Sequence, residues 1–250
     1  MKNPSRLMFV GLNRFSDLFK VLDYDKNLSP NFDHTYIFCG PEELTFDLHK
    51  VLEHLGHNGN NFTVLNDTVL FNHFKLYNLN IDFYKFGGWI TQQFIKLLAL
   101  DYVNEDRMII QDCDTYVLDN YNYTYFNDNS PVLFYQPNQK HSPEYYKYLK
   151  DFTNLDPFDN HCYVTEFMPV TTKLWGSLKN KIESIHGKYW LLAMYDQFSQ
   201  DFTGDQIWFS EYELLANWML HQDNNIKIIE QSIIRVNDIR TRHKFNCVGF

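Results

Sequence analysis

Cysteine is scarce in this chain and poorly spaced for cross-linking. The four cysteines, Cys39, Cys113, Cys162 and Cys247, lie far apart with no Cys-x-x-Cys pair. That excludes a disulfide scaffold and a zinc knuckle. Long apolar runs are lacking as well: no stretch approaches the roughly 18 apolar residues of a membrane span. The opening MKNPSRLMFVGLNRF has too short an apolar run for a signal peptide. A cytoplasmic setting is therefore expected (host cytoplasm for a viral gene), and the sequons at Asn27, Asn61, Asn66 and Asn122 are read as accidents of composition. Basic residues are few: 22 Lys and Arg stand against 31 Asp and Glu, a net charge of −9. Nucleic-acid binding needs clustered cations. The cluster that stands out, RVNDIRTRHK at 235–244, suits a phosphate-bearing small molecule better than a duplex. Internal repeats, low-complexity segments and long linkers are missing too. The expectation is one domain over residues 1–250, with halves meeting near residue 118.

What is present is core material. Hydrophobic residues make up 44% of the 250 and aromatics 18%, mostly Phe (22) and Tyr (17). A chain of this size and composition can bury a substantial core and is not disordered. The aromatic excess, with many Asn residues, fits the AT-rich codon usage of some viruses and bacteria.

The first half reads as strand, helix, strand, helix, strand. LMFV (7–10), TYIFC (35–39) and NFTVLN (61–66) are strands; FSDLFKVL (15–22) and EELTFDLHKVLEHLG (42–56) have helical apolar spacing. This alternation predicts α/β architecture, a mostly parallel central sheet flanked by helices, with ligands bound beyond the carboxyl ends of its strands. Gly87-Gly88 leads into a helix, WITQQFIKLLALDYV (89–103). In the second half, which is aromatic-rich and irregular, PVLFYQP (131–137), HCYVTEFMPV (161–170) and NIKIIEQ (225–231) are candidate strands. LWGSLKNKIESIHG (174–187) and FSEYELLANWMLHQ (209–222) are candidate helices.

The segment RMIIQDCDTYVL (107–118) is the most informative. A buried strand ends in Asp112 and Asp114, whose side chains share a face if the strand continues. Two bare carboxylates repel. A hard divalent cation, Mg²⁺ or Mn²⁺, removes the conflict and commonly also holds substrate phosphates. The plain alternative is a turn, where Asp is common. Cys113 is expected to point the other way, into the core.

Together these features resemble the GT-A fold glycosyltransferases. A βαβ half is closed by a hydrophobic strand and Asp-x-Asp. The likeness is closer to poorly characterised bacterial and viral glycosyltransferase-like proteins with a GW-x-x-QQ-x-x-K helix before that strand and an FSEYE helix after it. Here those motifs are Gly88–Lys96, Asp112-Cys113-Asp114 and Phe209–Glu213. The resemblance runs over roughly residues 7–245. It implies a single GT-A-type domain whose first half holds a nucleotide-sugar and whose second half holds a glycan or other hydroxyl acceptor. It also implies Mn²⁺ or Mg²⁺ as cofactor, with Asp114 as direct ligand and Asp112 on the metal or ribose. His243 is a further ligand or a surface histidine. Arg240, Arg242 and Lys244 either pair with a diphosphate or form a solvated patch.

The remaining candidates carry two readings each. Ser210 and Glu213 read as a capping box. Glu211 either joins the acceptor site, as a base taking the hydroxyl proton, or merely suits the helix dipole; Asp205 in TGDQ competes for that role. Gln92, Gln93 and Lys96 contact the donor or face water. By fold analogy, Asn13, Arg14 and Asp17 lie where base and ribose bind. Tyr163, Trp175, Trp190 and Trp208 stack on a sugar or fill the core. Two rival functions remain: a nucleotidyltransferase, for which GLNRFSD is a poor phosphate loop, and a non-catalytic carbohydrate-binding or virion protein of the same fold.

Overall fold

Leu7 and Phe9 alternate with Met8 and Val10 along the first strand, and the two sets enter different cores, as a two-residue period requires. The computed structural model describes residues 3–11, 14–28, 32–40, 42–54, 61–117, 126–127, 130–136, 143–204, 207–223, 225–230 and 233–235. The chain runs β1 (Ser5–Val10), α1 (Phe15–Leu28), β2 (His34–Cys39), α2 (Glu42–His54), β3 (Phe62–Asn66), α3 (Asp67–His73), α4 (Gly88–Val103) and β4 (Arg107–Asp112). It continues through β5 (Thr115–Val117), β6 (Phe126–Asn127), β7 (Ser130–Pro131), β8 (Leu133–Tyr135), α5 (Pro143–Thr153), β9 (Phe167–Thr171), α6 (Thr172–His186), α7 (Trp190–Asp201), α8 (Glu211–Gln222), β10 (Ile228–Glu230) and β11 (Ile233–Arg235).

The main sheet has the order β3-β2-β1-β4-β9. The first four strands are parallel and β9 is antiparallel to β4. It is a mostly parallel α/β sheet flanked by helices, as the alternation predicted. The chain moves outward from β1 through β2 to β3, then returns to place β4 on the other side of β1. The strand order therefore reverses between β1 and β4, which is where such sheets leave a crevice. Smaller two-stranded pairings, β5 with β11, β6 with β7 and β8 with β10, extend the structure beyond this sheet.

One face of the sheet is covered by α1 and α2, through Leu18, Val21, Leu22, Leu48 and Leu52. The other face carries a larger core drawn from both halves of the chain: Phe94 and Leu97 of α4, Trp175 of α6, Met194 of α7 and Leu215 of α8. Each such side chain, fully withdrawn from water, contributes about 1.5–3 kcal/mol. α4 is buried along most of its length, from Ile90 to Leu100. It stops at Asn104, whose left-handed backbone lets its N–H reach the Leu100 carbonyl. α6 is bounded by the Thr171 side chain, which accepts from the Leu174 N–H, and by left-handed Gly187.

The second half differs from its sequence pattern in four places. α5 and α7 were not foreseen: the apolar residues of α5 are mostly aromatic and blur the helical period, and α7 opens on an unbroken apolar run, Trp190–Met194. The expected strand at 161–170 is regular only from Phe167 onward. The strand expected at 131–137 is split between β7 and β8.

Candidate functional site

β4 ends at Asp112, and Asp114 follows in the turn before β5 rather than on the same strand. The expected shared strand face is thus replaced by a turn that brings the two side chains round together. A third carboxylate joins them. Gln111 pairs with Phe167 in the antiparallel register, so Glu166 lies opposite Asp112. The Asp112 N–H donates to the Glu166 carbonyl at 2.9 Å. Oxygen atoms of Asp112, Asp114 and Glu166 all lie within 4.8 Å of one another. Glu166 holds a positive φ of 61°, a conformation disfavoured for a residue with a Cβ and a recurrent mark of functional sites.

A buried polar chain supports this cluster from below. Thr115 Oγ1 donates to Glu166 Oε2 at 3.0 Å, and Gln111 Nε2 donates to the Thr115 carbonyl at 2.8 Å. Gln111 Oε1 accepts from Arg6 Nη1 at 3.3 Å, and Arg6 Nε donates to Thr35 Oγ1 at 3.2 Å. Arg6 is buried and also stacks over Phe32. Four strands are thereby tied to the position of one carboxylate.

On the helical side, Lys96 of α4 is only 3% exposed. Its Nζ lies 2.5 Å from Asp112 Oδ1 and 2.7 Å from Glu211 Oε1. The Tyr212 hydroxyl donates to the same Asp112 Oδ1 at 2.8 Å. The Gln93 side-chain amide abuts Glu211 and satisfies its carboxylate when the amide nitrogen is turned toward it. The water-facing reading of Gln93 and Lys96 is therefore overturned: both are buried, and the polar face of α4 is an internal one. Burial opposes the Lys96 charge, but Asp112 and Glu211 outweigh it and hold the ammonium pKa above its ordinary value. Burial pushes the Glu211 carboxyl up while Lys96 pulls the other way. Burial, then the two carboxylates, push the Tyr212 phenol well up.

On the β1 side, Arg14 Nη1 bridges Asp17 Oδ2 at 3.2 Å and Asp114 Oδ2 at 3.1 Å. Its hydrogen bond to Asp17, then the charge of Asp114, raise its pKa against the effect of burial. Lys20 adds a second cation on Asp17. Burial works against the charge of Asp17, yet these two partners prevail and lower its pKa.

Ser210 caps α8 as expected, accepting from the Glu213 N–H at 3.3 Å. That bond uses the Glu213 N–H; the Glu213 carboxylate accepts from the Tyr163 N–H at 2.9 Å and from the Asn217 amide at 3.1 Å. Tyr163, Trp175 and Trp190 are buried and belong to the core, while Trp208 remains 42% exposed. Gln92 is partly exposed, and Cys113 is buried in the core as expected. Asn13, Asp205, Arg240, Arg242, His243 and Lys244 lie outside the described residues.

Glu166, Thr115 and Tyr212 were missed by sequence reasoning. The acid just ahead of the apolar FMPV was the available signal for Glu166, but its place opposite Asp112 follows from the β4–β9 register alone.

The cluster offers oxygen donors only, converging from three carboxylates, which fits a hard cation such as Mg²⁺ or Mn²⁺ and not a soft one. Fold and site together define an α/β protein with an acidic centre where the strand order of a mostly parallel sheet reverses. The chain belongs to a family of unknown function (DUF6492), whose model matches residues 8–244. No curated protein matches it. Among solved structures it is similar to mouse xyloside xylosyltransferase 1 in its apo form, at 12% identity and a TM-score of 0.47, covering 90% of this chain and 84% of that one. It is also similar to the glycosyltransferase GlyE of Streptococcus pneumoniae TIGR4, at 10% identity and a TM-score of 0.41, covering 93% of this chain and 46% of GlyE. A third similar structure is glucosyl-3-phosphoglycerate synthase of Mycobacterium tuberculosis in complex with phosphoglyceric acid, at 9% identity and a TM-score of 0.39, covering 92% and 70%. At TM-scores below 0.5 these likenesses say nothing of chemistry, which must come from the residues. No described helix is long and apolar enough to cross a membrane.

Proposed function

We propose that this chain is a metal-dependent glycosyltransferase of GT-A type. It moves a sugar from a nucleoside-diphosphate sugar to the hydroxyl of a glycan or other acceptor. The observation that carries this reading is the convergence of Asp112, Asp114 and Glu166 within 4.8 Å, at the crevice where the strand order reverses. The single domain would spend its first half on the donor and its second on the acceptor.

Asp112, Asp114 and Glu166 would hold Mn²⁺ or Mg²⁺. When bound, the cation supplies charge neutralisation for the diphosphate leaving group. Lys96 and Tyr212 both donate to Asp112 Oδ1, and would hold that carboxylate in place for the cation. Arg14 and Asp17, just beyond the carboxyl end of β1, would meet the diphosphate and ribose. Glu211 has 0% exposed surface and is bonded to Lys96, so its part is to hold that lysine in place. Asp205 stays the candidate for the proton-accepting group. Arg240, Arg242 and Lys244 are kept as diphosphate-binding candidates and His243 as a further metal-ligand candidate on their residue chemistry alone.

The test is a melting-shift screen of nucleoside diphosphates and their sugars, with and without Mn²⁺, on the wild type and Asp114→Ala. Stabilisation by one nucleotide-sugar that needs Mn²⁺ in the wild type and vanishes in Asp114→Ala is the expected result. Equal turnover of that donor by Asp114→Ala would sink the reading. Stabilisation by free glycans alone would favour a carbohydrate-binding module.

A further inference from the structure

We propose that Arg14 is an exchange residue: it holds Asp114 in the metal-free chain and turns to the diphosphate once a cation takes Asp114. The inference rests on the metal-site reading above and adds the movement of one side chain and the ligand class it recognises.

Asp112 and Asp114 are held in unlike ways. Asp112 is fixed by Lys96 and Tyr212, whose side chains are buried and cannot leave. The Arg14 partner of Asp114 has a side chain that is 49% exposed. A half-exposed ion pair contributes little to stability, so losing it to a divalent cation is easy. Arg14 and the cation would draw on the same Asp114 carboxylate, of which Arg14 holds Oδ2.

Arg14 would stay on station after the exchange. The same Nη1 that meets Asp114 also meets Asp17 Oδ2 at 3.2 Å. Asp17 is buried at the start of α1 and has Lys20 as a second partner at 3.1 Å. The guanidinium would pivot on Asp17 and stay at the crevice. Both side-chain hydrogen bonds of Arg14 use Nη1. Among the described residues, Nε and Nη2 are left as a two-pronged donor. Such a fork suits two phosphate oxygens in a way a point charge does not. The ligand class is a diphosphate bound to the cation, free or attached to a nucleoside.

The exchange has a signature of opposite signs. Removing Arg14 removes a competitor for Asp114, so the cation alone should bind as tightly or more tightly. The diphosphate should then bind more weakly. A merely structural role would weaken both. The experiment uses the full chain, with Mn²⁺ binding followed by the paramagnetic resonance of free Mn²⁺. Binding of UDP, GDP and inorganic pyrophosphate at saturating Mn²⁺ is followed by calorimetry. For Arg14→Gln we expect an unchanged or lower Mn²⁺ dissociation constant and about a tenfold or greater loss of affinity for the diphosphate that the wild type binds. Arg14→Lys, which keeps the charge and loses the fork, should recover part of that loss. Weaker Mn²⁺ binding in Arg14→Gln, undiminished diphosphate binding, or no recovery in Arg14→Lys would overturn the exchange. Pyrophosphate bound as well as the nucleoside diphosphates would place the recognition on the phosphates alone. If the wild type fails to bind Mn²⁺ or Mg²⁺, the metal-site reading falls first and the exchange with it.

Discussion

Lys96 and Glu211 form an ion pair 2.7 Å long in which the glutamate has no exposed surface and the lysine almost none. They are 115 residues apart in sequence, on α4 and α8, and their contact joins the helix before the acidic strand to the first turn of the late helix. Asp112 completes the arrangement from the sheet.

Breaking this pair on one side should be costly. Lys96→Met leaves Glu211 and Asp112 without their shared cation in a dry setting, and removing one partner of a buried pair costs about 3–5 kcal/mol. Urea unfolding followed by circular dichroism measures it. A loss under about 1 kcal/mol would mean the lysine is better solvated than its burial indicates. Glu211→Gln, which keeps an acceptor for the ammonium, should cost less than Lys96→Met.

Glu166 separates backbone strain from ligand chemistry. Asn tolerates the left-handed region better than most residues, whereas a β-branched residue does not. Glu166→Asn should therefore be more stable than Glu166→Val, by about 1 kcal/mol or more. Both should lose Mn²⁺ affinity, because both lack the third carboxylate. Unfolding midpoints and Mn²⁺ titrations on the same two variants read the two effects independently. Equal midpoints would show that the positive φ carries no strain.

The Ser210 cap is predicted to matter for the site as well as for its helix. Ser210→Ala leaves the Glu213 N–H without its side-chain acceptor and should cost about 1 kcal/mol. The turn it fixes also carries Glu211 and Tyr212, so metal affinity should fall with stability. Ser210→Asp, which keeps an acceptor at the same place, should restore both. Restoration of stability without metal affinity would uncouple the cap from the site.

The buried thiols should be inert in the native protein. Cys39, Cys113 and Cys162 are all buried. Burial, then the Asp112 and Asp114 charges, push the Cys113 thiol up, and burial pushes the Cys162 thiol up to about 12. The thiolate is the reactive form. At pH 8, labelling by a thiol reagent, mapped by peptide mass, should leave these three unmodified until denaturant is added. Rapid native labelling of Cys113 would contradict its place in the core beneath the acidic turn.

Much of the fold was legible because periodicity is a local property. β1, β2, β3, α1, α2, α4, α6 and α8 each announce themselves through apolar spacing and end signals, and the alternation in the first half implied a parallel sheet. Asp112 and Asp114 were legible for the same reason: two acids interrupt an apolar strand, and the chemistry of that conflict is local. α5 and α7 were harder, since aromatic residues crowd α5 and an unbroken apolar run, Trp190–Met194, opens α7.

The chain by itself determined that there would be an α/β sheet, that a charged pair would sit at the end of one of its strands, and that α8 would start at Ser210. Tertiary structure decided what those charges meet. The antiparallel register of β9 set Glu166 opposite Asp112, and that pairing has no trace in local spacing. The packing of α4 against β1 and α8 turned Gln93 and Lys96 inward, although amphipathic logic alone would send a glutamine and a lysine to water. The cost of burying that ammonium is met by Asp112 and Glu211, which arrive from elsewhere in the sequence. A residue's environment is a sum over neighbours in space, and for Lys96 the nearest of them lie 16 and 115 residues away along the chain.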